Sequence, residues 1–261
     1  MKRLLCVFFM VSVLIFCFGC QSYDGLSESK ESGCFIIYYD KADESCIEDV
    51  AKILNDNIER ITGNYNTDIT GTSYKVYIYP DLTTFHEAIG RPDAADWLVG
   101  ISPDRETVKM VSPNNAGTSH NYDQMLQVAV HEFTHSVIWG IEKESAIPIW
   151  LNEGIAEYEA RQMNEKRKKS VRTMLTMESV PTLYEMKMCN STEFGNMGGY
   201  ELSYTIVEYI VSEYGYEKLN LLVRNPADFE SAFGVSQADF ETGWLDFITE
   251  NYKTTYRPFI G

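Results

Sequence analysis

The pentapeptide His-Glu-Phe-Thr-His at residues 131–135 constrains the fold of this chain more than any other feature. Apolar residues recur at three- and four-residue intervals from about Tyr122 to Trp139, a spacing that predicts one continuous helix. On a helix, His131 and His135 lie one turn apart on the same face. Both imidazoles can therefore reach a single metal ion, and the fold must leave that face of the helix open to a ligand.

A zinc ion held by two histidines needs a third protein ligand and, in a catalytic site, one free position for water. Glu153 is the natural candidate, because it lies on a second predicted helix that begins at Pro148 and continues to about Lys168. Glu132 follows the first histidine directly and is placed beside the metal, where a carboxylate can act as general base. Two unrelated histidines on an amphipathic helix remain the alternative interpretation.

The segments HEFTH and WLNEGIAEY resemble the gluzincin peptidases, most closely the peptidase MA-like group related to the aminopeptidase N and thermolysin types. The resemblance implies one Zn²⁺ ion held by His131, His135 and Glu153, and zinc-bound water activated by Glu132. It also implies that Glu157, one turn after Glu153, orients a ligand histidine through its free N–H. A solvated helix carboxylate is the alternative role for Glu157.

The segment YELSYTIVEYIVSEYG resembles the one that carries the transition-state tyrosine of aminopeptidase-type gluzincins. Tyr200 takes that place, where its phenol would donate a hydrogen bond to the oxyanion of the tetrahedral intermediate. Tyr204, one turn later, is the second candidate, and ordinary packing is the alternative for a chain with 17 tyrosines.

The predicted fold class is α+β, a thermolysin-like zincin with a small mixed-sheet N-terminal lobe, an active-site helix and a helical C-terminal lobe. The metallopeptidase domain is predicted over residues 34–261, with lobes at about 34–140 and 141–261. By analogy with the family, a peptide substrate would pair with the strand Thr107 to Ser112, taken as the edge of the sheet.

Residues 1–19 have the basic start and short apolar run of a signal peptide, and Cys20 follows as in a bacterial lipoprotein. Residues 20–33 are polar and rich in Ser and Gly, which predicts a flexible tether. We therefore expect an exported, cell-surface protein with a lipid anchor on Cys20. Simple cleavage and secretion are the alternative.

The net charge of −16 argues against nucleic acid as a partner. Three cysteines remain after the predicted signal and lipidation site, and pairing of Cys34 with Cys46 is left open. His86 and His120 are expected at surface or capping positions. The basic segment from Arg161 to Arg172 is expected to be a solvated helix end, with contact to anionic lipid or an acidic substrate as the alternative.

These features predict zinc-dependent hydrolysis of peptide or protein substrates. The glycine- and glutamate-containing motif with which aminopeptidase N types capture a substrate amine is absent upstream of HEFTH, which favours endopeptidase action. Two other functions remain open. One is a catalytically silent peptide- or protein-binding module of the same fold, and the other is a zinc amidase that acts on cell-wall amides. A monomer is the default expectation for the oligomeric state.

Overall fold

The computed structural model describes residues 24–141 and 147–253, and within these ranges the chain forms five strands and eleven α-helices. The predicted signal peptide and Cys20 lie outside the described residues. In chain order the elements are β1 (Glu28–Ser32), β2 (Phe35–Tyr39), α1 (Glu44–Asn64), β3 (Tyr74–Tyr79), α2 (Leu82–Ala88), β4 (Gly100–Asp104), β5 (Thr107–Val111), α3 (Tyr122–Trp139), α4 (Ile149–Glu159), α5 (Glu165–Thr176), α6 (Leu183–Met188), α7 (Ser191–Asn196), α8 (Gly199–Glu213), α9 (Gly215–Arg224), α10 (Phe229–Phe233) and α11 (Gln237–Tyr252).

The five strands form one mixed sheet in the order β1-β2-β3-β5-β4. The three central strands β2, β3 and β5 are parallel, and an antiparallel strand lies at each edge. Parallel neighbours need a crossover, and α1 supplies it between β2 and β3. All the strands precede α3, and every described element after it is helical. The predicted α+β class and its division into a sheet lobe and a helical lobe are confirmed.

The prediction of a flexible tether over residues 20–33 is wrong for residues 28–32, which form a strand at one edge of the sheet. Residues 28–32 form β1, which pairs antiparallel with β2 from Glu28 opposite Tyr39 to Ser32 opposite Phe35. The segment is polar because an edge strand of this kind faces solvent, and charged residues there also prevent pairing with other chains. Polar composition was therefore a poor guide to disorder at this position.

The prediction that the strand from Thr107 to Ser112 is the edge of the sheet is wrong. The strand from Thr107 to Val111 lies inside the sheet, hydrogen-bonded to β3 on one side and to β4 on the other. The free edge beside the active-site helix therefore belongs to β4 (Gly100–Asp104). The turn between the two strands lies at residues 105–106.

The second predicted helix, from Pro148 to about Lys168, is in fact two helices. Helix α4 ends at Glu159, where Arg161 adopts the left-handed conformation with φ of 56°. Helix α5 starts at Glu165 after the N-cap residue Asn164. In the part of the chain that the structure describes, no helix has the length and apolar character needed to cross a membrane.

Candidate metal site

Helix α3 carries both histidines of the predicted metal site and is fixed firmly in the protein. Its N-terminus has a capping box, in which Asn121 accepts from the N–H of Gln124 and the Gln124 side chain accepts from the N–H of Asn121. Near its middle, Phe133 makes edge-to-face contacts with Phe35 and Tyr74 of the sheet, with ring centroids 5.3 and 5.1 Å apart. The helix therefore holds its metal-facing side chains on a rigid support.

The structure brings the three predicted ligands together. The ligand atoms of His131, His135 and Glu153 all lie within 4.8 Å of one another. The Nε2 atoms of the two histidines are 3.1 Å apart, and Glu153 Oε2 lies 3.4 Å from Nε2 of His131 and 3.8 Å from Nε2 of His135. Ligand atoms bound to a tetrahedral zinc ion at 2.0–2.1 Å are separated by about 3.3 Å. This donor set therefore fits a zinc ion.

The other nitrogen of each imidazole faces the side-chain oxygen of an amide. The distance from His131 Nδ1 to Gln162 Oε1 is 2.9 Å, and the distance from His135 Nδ1 to Asn152 Oδ1 is 3.3 Å. A carbonyl oxygen can only accept, so each Nδ1 is the donor in these contacts, and Nε2 is the nitrogen that would bind a metal. Neither amide residue was predicted for the site.

Nearby carboxylates favour a positive charge on His131, whereas burial disfavours one on His135. Burial lowers the pKa of His131, but the carboxylates of Glu153, Glu132 and Glu157 outweigh it and raise that pKa to about 9. Burial dominates at His135 and lowers its pKa to about 4. Burial raises the pKa of Glu153, yet the two histidines reverse the effect and lower it overall. Such a balance suits a cation bound between the three side chains.

Glu132 is buried and lies against the edge strand β4. The hydroxyl of Ser102 donates to the backbone oxygen of Glu132 at 2.5 Å and lies 3.2 Å from its carboxylate oxygen Oε2. A Cβ at Gly100 would come within 2.8 Å of Oε1 and 2.9 Å of Cγ of Glu132. Gly100 and Ser102 were not predicted as site residues. Strand alternation puts them on one face, but only the packing of β4 on α3 reveals which side chain they meet.

Tyr200 and Tyr204 both lie on α8 but face different surroundings. Burial raises the pKa of Tyr200, and the carboxylates of Glu153, Glu157 and Glu132 raise it further, so its phenol stays protonated at neutral pH. Tyr204 packs on Tyr158, with ring centroids 5.3 Å apart, and Glu157 contributes to its raised pKa as well. Tyr200 stays the predicted hydrogen-bond donor, with Tyr204 as the second candidate.

Glu157 does not make the predicted hydrogen bond to a ligand histidine. Its carboxylate is buried and forms an ion pair with Arg167 of α5, while Gln162 occupies the Nδ1 position of His131. Burial raises the pKa of Glu157 although Arg167 opposes the shift. The same contact corrects the interpretation of the basic segment, since at least this guanidinium is an internal partner of the site.

Among the residues that the structure describes, the other histidines and the cysteines lie outside the metal cluster. His86 was expected at the surface or in a cap but is buried, and its Nε2 lies 2.9 Å from the backbone oxygen of Leu98. Cys34 and Cys46, whose pairing was left open, are both free thiols in the structure. The Sγ atom of Cys46 donates to the backbone oxygen of Asp43 at 3.1 Å.

A helical HExxH pair completed by a glutamate from the following helix is the arrangement of gluzincin-type metallopeptidases. The profile of the Peptidase MA superfamily matches residues 60–250 of this chain, a range that contains all three ligand positions. The chain belongs to the Peptidase MA superfamily. The search of curated proteins gives no match.

Among solved structures, the chain is similar to a crystal structure of an M1 zinc metallopeptidase from Deinococcus radiodurans. The sequence identity is 11% and the TM-score is 0.43. The match covers 88% of this chain and 52% of the other, so the chain spans about half the length of that protein.

Proposed function

We propose that this protein is a zinc-dependent peptidase, with one zinc ion held by His131, His135 and Glu153. The observation that carries the proposal is the convergence of two histidines of α3 and Glu153 of α4 at separations that fit tetrahedral zinc. Glu132 follows the first of these ligands on α3. Membership of a peptidase superfamily supports the same reaction class. When bound, zinc would polarise the scissile carbonyl and lower the pKa of the attacking water.

The side chains around the ion have distinct roles in this proposal. The carboxylate of Glu132 would take a proton from the attacking water and return it to the leaving amine, as a general base and then a general acid. Its contacts with Gly100 and Ser102 hold it against β4 and limit its rotamers. The phenol of Tyr200 would donate a hydrogen bond to the oxyanion as charge develops there.

The substrate is proposed to be an extended peptide that pairs with the free edge of β4. Beyond the start of this strand lies a groove of about 830 Å³, with residues 90–98 on one side and residues 190–193 on the other. The wall formed by residues 90–98 is followed in the chain by Gly100, which lies beside Glu132. The wall formed by residues 190–193 is followed by Phe194, whose ring packs on that of Tyr200 with centroids 5.1 Å apart. We propose that a peptide chain continuing past the cleaved bond enters this groove, as endopeptidase action requires.

The cellular setting of the enzyme is also part of the proposal. The signal-like residues 1–19 and Cys20 support export and attachment to the membrane through an N-terminal lipid, with secretion as the alternative. The acidic net charge of −16 supports peptide or protein substrates and not nucleic acid. We propose a monomer.

The test combines metal analysis with product mapping. Purified wild-type protein and the variant Glu132→Gln are analysed for bound zinc and then incubated with a library of extended peptides, and mass spectrometry locates each cleavage. We expect both proteins to bind about one zinc ion, and only the wild type to produce internal cleavages that a chelator abolishes. Zinc binding by a wild type that hydrolyses no peptide would refute the peptidase proposal and support a silent binding module or an amidase.

A further inference from the structure

The short corner between α4 and α5 lies directly against the metal site and is fixed at both ends. At the end of α4, Arg161 has a φ of 56° and the N–H of Gln162 donates to the backbone oxygen of Glu157 at 3.1 Å, a hydrogen bond of the Schellman type. At the start of α5, Asn164 accepts from the N–H of Arg167 at 3.1 Å. The conformation of the corner is therefore determined by its own capping interactions.

A third interaction joins this corner to the active-site helix. The side chain of Gln127 on α3 donates from Nε2 to the backbone oxygen of Arg161 at 3.1 Å. Gln127 precedes His131 by four residues, so it lies one helical turn away on the same face. The hydrogen bond from Gln127 consequently holds the corner next to His131, and Gln162 is the corner residue that contacts this histidine.

We propose that Gln162 is the positioning residue for the metal ligand His131. Its Oε1 atom, 2.9 Å from Nδ1 of His131, requires the hydrogen on Nδ1 and directs the lone pair of Nε2 towards His135 and Glu153. The inference rests on the proposed metal site, and it gives Gln162 the role that the family resemblance implies for Glu157.

The choice of an amide has a physical reason in this site. The carboxylates of Glu132, Glu153 and Glu157 already act on His131. A glutamine oxygen fixes the orientation of the ring without bringing a fourth negative charge to it. Glu157 is meanwhile occupied by the guanidinium of Arg167, and this ion pair joins α4 to α5 on either side of the corner.

The proposal is tested by metal affinity, a measurement that does not depend on hydrolysis. The variant Gln162→Leu removes the acceptor at nearly constant volume, whereas Gln162→Glu keeps an oxygen that can accept from Nδ1. The control is Gln237→Leu, the same substitution at an exposed position on α11. The side chain of Gln237 donates a hydrogen bond to Glu241 on the same helix and lies on a different helix from the metal ligands. Zinc affinity is measured by competition with a chromogenic chelator, and the Co²⁺-substituted protein is examined by absorption spectroscopy.

We expect Gln162→Leu to bind zinc about 10- to 100-fold more weakly and to change the Co²⁺ spectrum. The urea midpoint of the metal-free protein should stay unchanged, and Gln162→Glu should restore wild-type affinity to within a few-fold. Wild-type affinity in Gln162→Leu, or a loss that Gln162→Glu does not restore, would overturn the proposal. A wild type that binds no zinc would overturn it together with the metal site, whereas zinc binding without hydrolysis would overturn only the peptidase function.

Discussion

Gly154, which directly follows the predicted ligand Glu153, gives a sharp test of how the helical lobe supports the metal site. A Cβ at this position would lie 2.5 Å from the backbone oxygen of Ser203 and 3.0 Å from Cγ2 of Val207. Both contacts belong to α8, the helix that also carries Tyr200. Helix α4 therefore passes close to α8 at Gly154, where a side chain would meet the backbone of α8.

The expected cost of Gly154→Ala follows from two opposing effects. Alanine favours a helix interior over glycine by about 1 kcal/mol. Ordinary contacts between heavy atoms lie at about 3.5 to 4.0 Å, so the new methyl group would require α4 and α8 to separate by roughly 1 Å. Overpacking of this kind costs about 1–3 kcal/mol and sometimes more. Because the clash is with backbone, the upper part of this range applies, and we expect net destabilisation of about 1–2 kcal/mol.

The displacement should also affect the metal site, since Glu153 and Asn152 lie next to Gly154 on α4. A misplacement of about 1 Å can cost roughly 100-fold in rate. Urea unfolding of the metal-free protein measures stability, and chelator competition measures zinc affinity. The matched control is Gly63→Ala in α1, where a Cβ would meet no atom within 4 Å. There we expect unchanged or slightly higher stability and unchanged metal binding.

Two results would contradict the reasoning. If Gly154→Ala were as stable as Gly63→Ala, the close approach of α4 to α8 would not constrain the packing of the lobe. If Gly154→Ala were destabilised but bound zinc with wild-type affinity, the position of Glu153 would not depend on this helix contact.

Two further predictions concern the ion pair between Glu159 of α4 and Arg60 of α1, and the proposed oxyanion donor Tyr200. Glu159→Leu should destabilise the protein by about 3 kcal/mol, the lower end of the range for a broken buried ion pair. It leaves the guanidinium of Arg60 with only the side-chain oxygen of Asn57 and the backbone oxygen of residue 159. Arg60→Met combined with Glu159→Leu should cost less in urea unfolding than Glu159→Leu alone, and equal cost in both proteins would show that the uncompensated charge of Arg60 is not the source of the loss. Tyr200→Phe should lower kcat about 100- to 1000-fold at unchanged zinc affinity, whereas Tyr204→Phe should leave kcat close to the wild-type value. Similar kcat losses in both variants would remove Tyr200 from the proposed mechanism.

The parts of the fold that the sequence predicts well are those in which local pattern and tertiary packing agree. Helix α3 runs from Tyr122 to Trp139 as its periodicity indicates, since a capping box precedes it and Gly140 follows it. The three candidate ligands could be grouped from spacing alone, because two lie one turn apart and the third is on the next helix. Strand β1 could not be predicted in this way, because residues 28–32 acquire an extended conformation only by pairing with β2.

The residues around the ligands were harder to predict, because their placement depends on where one helix ends. The helical periodicity of the sequence continues past Glu159 into the basic segment. If the helix also continued through Arg161, the helical rotation would set the direction of the Gln162 side chain. Arg161 instead adopts the left-handed conformation, which is unusual for a residue with a side chain and costs roughly 1–3 kcal/mol. The hydrogen bonds of the corner, including the one from Gln127, offset that cost. Because these partners are distant in sequence or belong to the backbone, no local pattern reports them, and so Glu157 was assigned a contact that Gln162 makes.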